Sequence, residues 1–286
     1  MRRSQGRLLS EYAYDPAGRL TAQRVRLAQS PAAPCAGQAV IDPHTGRPPR
    51  LTGLIERRYG YDAAGQLRQW LDRERGLTQY AYDPVGRIVG SRFGVRQRME
   101  APSVGASPAS ATRSEHFHWD AASNPVPPPS AGQPVRPVAG NRLLVWQDEA
   151  YRYDAHGNLT DRLQGKRGSA AQTHTRLQWD GAHQLVQASV TRGAGPGATT
   201  QDFAYAYDAL GRRVAKIDAF GTTAFAWDGD RMLLEQRASH EVLHLYEPES
   251  FVPLAQVHGG VVHHLHTDHL GTPLEASNDA GEITWR

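Results

Sequence analysis

The stretch Tyr80-Ala81-Tyr82-Asp83-Pro84-Val85-Gly86-Arg87-Ile88 decides the fold. Its two tyrosines alternate with an alanine, so on a strand they share one face. Asp83-Pro84-Val85-Gly86 follows with the chemistry of a type I turn. Asp suits position i, Pro presets the dihedral at i+1 and Gly serves i+3. A glycine just after such a turn also supplies the left-handed conformation of a bulged hairpin loop. Arg87-Ile88 then opens a second strand. The stretch reads as a β-hairpin with aromatic rings on its entering arm.

Working outward, the same unit recurs at Tyr12–Leu20, Tyr59–Leu67, Tyr151–Leu159 and Tyr205–Arg212, the last followed by Arg213 where an apolar residue is expected. Looser copies keep the first half: Phe117-His118-Trp119-Asp120, Leu177-Gln178-Trp179-Asp180 and Phe225-Ala226-Trp227-Asp228. Their glycine positions hold Ser123, His183 and Arg231, and Tyr246-Glu247-Pro248 reads as a decayed ninth copy. All 11 tyrosines fall inside these units, which makes the repeat the main signal of the chain.

Composition agrees. The 286 residues include 28 Gly and 19 Pro, more than a helix bundle tolerates. Only 53 residues are Leu, Ile, Val or Phe, a level that signals disorder when net charge is large. The net charge here is +3, so something other than an aliphatic core must hold the ordered parts. The basic residues are almost all arginine and spread along the chain without a stripe, so no nucleic-acid partner is expected. A single cysteine, Cys35, rules out an intramolecular disulfide framework. No apolar run approaches the ~18 residues of a membrane span. The opening Met1–Gly6 leads into no apolar leader, so the chain is expected to be made in the cytoplasm and to leave it, if it does, without a removable signal.

The predicted fold is all-β: one repeat region over 1–286 whose successive hairpins pair side by side into a curved antiparallel sheet. Aromatic residues at matched positions then stack across strands, each pair contributing on the order of 0.2–1 kcal/mol. Surplus sequence rich in Pro, Gly, Ser and Ala lies near 28–50, 101–114, 125–140, 164–173 and 191–201, and reads as surface loops on the array. An open sheet has two unpaired edges, and no convincing cap is visible at either end.

The Tyr-Asp-x-x-Gly-Arg-Leu units resemble the YD repeats of the Rhs (rearrangement hotspot) proteins, with relatives in insecticidal toxin complexes and teneurins. The resemblance sharpens at His266-Thr267-Asp268-His269-Leu270-Gly271-Thr272-Pro273 and its continuation to Trp285, which is similar to the segment closing the Rhs core, here 264–286. Gly140-Asn141-Arg142-Leu143-Leu144 is also Rhs-like. The resemblance implies a partial β-shell that encloses a C-terminal toxin, delivered by type VI secretion or a related machine. Its implied partners are the remainder of an Rhs core, the toxin domain and secretion spike proteins. Self-cleavage in such proteins uses acidic residues after the Asp-His-Leu-Gly-Thr-Pro segment, beyond Arg286. Asp83-Pro84-Val85-Gly86 has similar letters but sits inside an ordinary unit and reads as a turn.

Reactive chemistry is sparse. His258, His263, His264, His266 and His269 cluster, and on a strand His264, His266 and Asp268 would share a face that a Zn²⁺-like ion could use. The plainer reading makes them strand and turn residues. The recurring aspartates share one structural role, so none is assigned acid–base work. Asp42-Pro43-His44-Thr45-Gly46 repeats the turn chemistry, and Cys35 lies far in sequence from an obvious base. The expectation is no catalytic, cofactor or metal residue, and no enzyme. An aromatic surface that binds glycans or cell-surface proteins, and a non-functional gene fragment, stay open as alternatives.

Overall fold

The computed structural model describes residues 2–29, 40–41, 51, 53–94, 113–128 and 138–286. The expectations placed on Cys35, on Asp42–Gly46 and on residues 101–112 fall outside that set. Among the described residues, two sheets and one short ladder account for the strands. Eight strands run in chain order from Arg2–Gln5 to Arg113–His116. His118–Trp119 pairs with Pro125–Val126, and fourteen strands run in order from Val145–Trp146 to Ile283–Trp285. Neighbours in sequence are neighbours in the sheet throughout, as a chain of hairpins requires.

Each repeat unit is a hairpin with the geometry its residues dictate. In the third copy, Gly86 N donates to Asp83 O at 3.0 Å and Asp83 N donates to Arg87 O at 2.9 Å. The register slips by one between Ala81 and Tyr82, so Tyr82 faces Ile88. Gly86 takes φ +90°, which explains the glycine. Ser123 and His183 adopt the same left-handed region at φ 66° and 62°. The Phe225–Asp228 copy departs from expectation. Asp228 pairs with Arg231 across a tighter turn, and the positive φ moves to Gly229.

Two loop intervals are narrower than their composition suggests. Thr191 pairs with Thr200 and Arg192 with Thr199, leaving 193–198 as the connection. Residues 165–172 join the strands Leu159–Gln164 and Thr173–Trp179.

The chain divides into two compact units, Met1–His118 with His266–Arg286, and Trp119–Leu265. The first has a small apolar core of Leu8, Val25 and Ile55, with Leu54 and Ile283 packed on it. Its strand Ile55–Tyr61 is buried along most of its length. In the second unit several strands alternate in burial. Along Thr199–Tyr207 the half-buried positions from 201 onward include Phe203, Tyr205 and Tyr207, with exposed residues between them. Arg213 lies 5.5 Å over the Tyr205 ring and 5.1 Å over Phe225, and Lys216 Nζ lies 4.9 Å over Phe203. Such contacts contribute roughly 0.5–1 kcal/mol each at exposed sites. Stacked cations and rings thus stand where an aliphatic core would otherwise be.

Candidate functional site

The repeated feature of the molecule is the junction between one hairpin and the next. The second aromatic of a unit donates a hydrogen bond to a backbone carbonyl of the preceding hairpin. Tyr61 Oη reaches Leu20 O at 3.0 Å and Tyr82 Oη reaches Leu67 O at 2.8 Å. In the second unit Trp179 Nε1 reaches Leu159 O, Tyr207 Oη reaches Leu185 O, Trp227 Nε1 reaches Arg213 O and Tyr246 Oη reaches Met232 O, all at 2.8–3.0 Å. The accepting residue is the cross-strand partner of the previous second aromatic: Leu20 faces Tyr14, Leu67 faces Tyr61 and Leu185 faces Trp179. The latches therefore follow one another along each sheet. This explains the aromatic types. The second position is always Tyr or Trp, which carry a donor, whereas the first also accepts Phe117, Leu177 and Phe225.

The turn aspartate organises the other half of the junction. Asp208 Oδ1 accepts from Leu210 N and Arg212 N at 2.9 Å each, and Oδ2 accepts from Arg212 Nε at 2.7 Å. The Arg212 backbone N–H, followed by its side chain, holds the Asp208 carboxyl below its ordinary pKa. The Arg19 backbone N–H does the same for Asp15, and the Asn158 side-chain amide for Asp154. Asp120 drops furthest, to about 2, because Val138 N donates to it from the next turn, with Asn124 adding further bonds.

Sequence reading missed three turns of this kind. Asp268 Oδ1 accepts from Leu270 N and Thr272 N, so the Asp-His-Leu-Gly-Thr segment is itself a repeat turn. Asn278 is a copy with donor and acceptor exchanged: its Oδ1 accepts from Glu282 N, while its Nδ2 donates to Glu282 Oε2 at 2.8 Å. Val138 stands at a turn's first position, with Asn141 N donating to its carbonyl at 3.2 Å. Gly-Asn-Arg-Leu at 140–143 was the available signal for the last.

Within the first unit, residues 266–286 are fastened to the first sheet by buried charge. Arg57, with no exposed surface, donates to Asp72 Oδ2 at 2.9 Å, to Gln23 Oε1 at 2.8 Å and to Glu275 Oε2. Arg75 Nη1 donates to the other oxygen of Glu275 at 2.9 Å. Arg7 N donates to Asp279 O at 3.0 Å, and Gly281 lies against Leu8 and Leu27, where a Cβ would stand 2.9 Å from Leu27 Cδ2. Glu56-Arg57-Arg58 inside a strand was a sequence cue for buried ion pairs that composition alone does not interpret.

The histidines do not converge. His266 is buried and its Nε2 pairs with Ser277 Oγ at 2.8 Å. The His269 ring packs 5.1 Å from Tyr59 and 6.5 Å from Tyr61, and burial lowers its pKa. His264 faces Ala255 across the ladder, while His258 closes its strand opposite Val261. Among the described residues no group of three His, Cys, Asp or Glu is placed to hold a metal ion. An open groove of about 560 Å³ in the second unit is lined by Phe203, Ile217, Phe220, Arg192 and Asp202 among others.

Side-by-side hairpins, latched through carbonyls and turn carboxylates, define a β-hairpin repeat protein. Residues 61–92 match the RHS repeat model and residues 262–286 the RHS protein model. The chain belongs to the Rhs, or YD-repeat, family. It is 34% identical over 312 residues to double-stranded DNA deaminase toxin A of Burkholderia cenocepacia, covering 99% of this chain and 19% of that protein. It is 30% identical over 294 residues to toxin protein Tse5 of Pseudomonas aeruginosa, covering 83% of this chain and 21% of that protein. The chain thus spans about a fifth of these curated relatives. A crystal structure of TcdB2-TccC3-Cdc42 superposes with a TM-score of 0.50 at 14% identity, covering 99% of this chain and 15% of that one. That likeness carries the fold: an all-β array of YD-repeat hairpins.

Proposed function

We propose that this chain is a wall segment of a toxin-encapsulating Rhs shell used in toxin delivery between bacteria, with no catalysis of its own. The observation that carries the reading is the serial latch. Successive hairpins offer the next a carbonyl, and the turn carboxylates of Asp15, Asp83, Asp154, Asp180 and Asp208 are spent on their own backbone. The groups that would do chemistry in an enzyme are consumed in holding hairpins together. Relatives named as toxins, of which this chain matches about a fifth, support partners in the rest of an Rhs core and in a toxin domain.

Binding of glycans through an exposed aromatic face is less well supported. Tyr59 is buried, and the second-position hydroxyls and indole N–H groups in the latches already have acceptors. The test is limited proteolysis of a toxin domain expressed with its Rhs core, with and without substitutions that break the latches. Protection that is lost with the latches fits a wall. A toxin equally protected without them removes the reading.

A further inference from the structure

At six junctions between hairpins the residue four past a turn's first position reaches the following turn. Four of these residues are long and each meets a glycine. A Cβ on Gly65 would stand 3.2 Å from Arg19 Nη1, and one on Gly86 would stand 3.0 Å from Gln66 Nε2. On Gly157 it would stand 3.4 Å from Arg142 Nη2, and on Gly211 3.3 Å from Gln184 Nε2. Two further junctions reverse both members together. Asn141 and His183 replace the glycine, and the residue reaching them is the short Asn124 or Asn158, whose Nδ2 lies 3.0 Å from Asn141 Oδ1 or His183 Nδ1.

We infer that these two positions form a matched pair which specifies which hairpin stacks beside which: long polar against glycine, or asparagine against a polar side chain. Asn141 and His183 hold φ 54° and 62°, whereas Gly65, Gly86, Gly157 and Gly211 lie at 80–95°, so the backbone and the neighbour act together at the glycines. At Gly211 a side chain would meet the neighbour's amide as well as a strained backbone, and Gln184 would have to give way by a few tenths of an ångström. Gly18 separates the two causes. It has φ +80°, the same as Gly211, but nothing lies within 4 Å of its missing Cβ. The pair is a specificity device between neighbouring hairpins and holds whatever the array encloses.

The experiment is a double-mutant cycle by urea denaturation of the whole chain. Gly211→Asn alone is expected to lower the folded-to-unfolded ratio, and adding Gln184→Asn to restore it by roughly 2- to 100-fold, the coupling range of touching side chains. Gly18→Asn is expected to cost less than Gly211→Asn. The reciprocal cycle guards against a variant that does not fold: Asn158→Gln against His183 should destabilise, and His183→Gly should relieve it. Additive effects in either cycle, or an equal cost at Gly18 and Gly211, would overturn the inference.

Discussion

Arg57 and Glu275 are separated by 218 positions in the chain and meet as a buried ion pair. Arg57 lies on Ile55–Tyr61, the fourth strand of the first sheet, and Glu275 lies on the strand Pro273–Ser277. Burying such charges has a large desolvation cost, offset here by Asp72, Gln23 and the Thr267 carbonyl, all of which accept from the same guanidinium. The pair therefore defines where the last residues of the chain sit on the first unit.

Removing one partner leaves the other buried and uncompensated. Arg57→Met is expected to destabilise the first unit by about 3–5 kcal/mol. Arg57→Lys should recover little, because an ammonium cannot reproduce the planar fork that serves Asp72, Gln23 and Glu275 together. Hydrogen exchange should show loss of protection at 273–277 first. Unchanged exchange in that strand would show that the pair does not fasten it.

The latch separates two tyrosines on one strand. Tyr207→Phe removes a hydroxyl that donates to Leu185 O at 2.9 Å and should cost about 0.5–1.5 kcal/mol. Tyr205→Phe should be nearly neutral, since Phe117 and Phe225 occupy that position elsewhere. The comparison is the shift in urea midpoint between the two variants. Equal shifts would remove the distinction between first and second aromatics.

Asn278 shows what a turn tolerates. Its amide oxygen keeps the bond to the residue four positions on. Asp208→Asn should therefore lower the midpoint less than Asp208→Ala, which strips acceptors from Leu210 N and Arg212 N. A thermal melt ranking wild type above Asn above Ala is the expected order.

Acid should loosen the repeat. Asp15, Asp120, Asp154 and Asp208 titrate lower in the folded chain than the ~4 of an unfolded carboxyl. Between those values the unfolded chain binds more protons, so stability falls as pH falls. Their contribution is full above about pH 4 and is lost as pH falls below it, for Asp120 toward pH 2. Urea midpoints at pH 6, 4 and 3 should decline most steeply below 4, and Asp120→Asn should flatten that decline.

The hairpins were legible because their cause is local. Tyr-x-Tyr-Asp-x-x-Gly fixes a strand, a turn and a bulge within nine residues, and no distant contact is needed to read it. The Asp228 turn was misread because the repeat pattern was preferred over Gly229-Asp230, a two-residue tight-hairpin signal in its own right. The latch and the Arg57 cluster join residues brought together by stacking, so a single strand's pattern could not reveal them. Their traces were a residue-type asymmetry, a donor at every second aromatic but not at every first, and the charged run Glu56-Arg57-Arg58 inside a strand. The Asn278 turn was hidden because it exchanges the roles of carboxylate and partner.

The central claim is that hairpins latched in series make a wall. Electron cryomicroscopy of the chain in the assembly in which it occurs in cells tests it most directly. The account predicts hairpins lying side by side in chain order around a hollow, with Tyr82 and Tyr207 reaching back to the preceding hairpin. A closed globule with polar side chains converging on a pocket would contradict it.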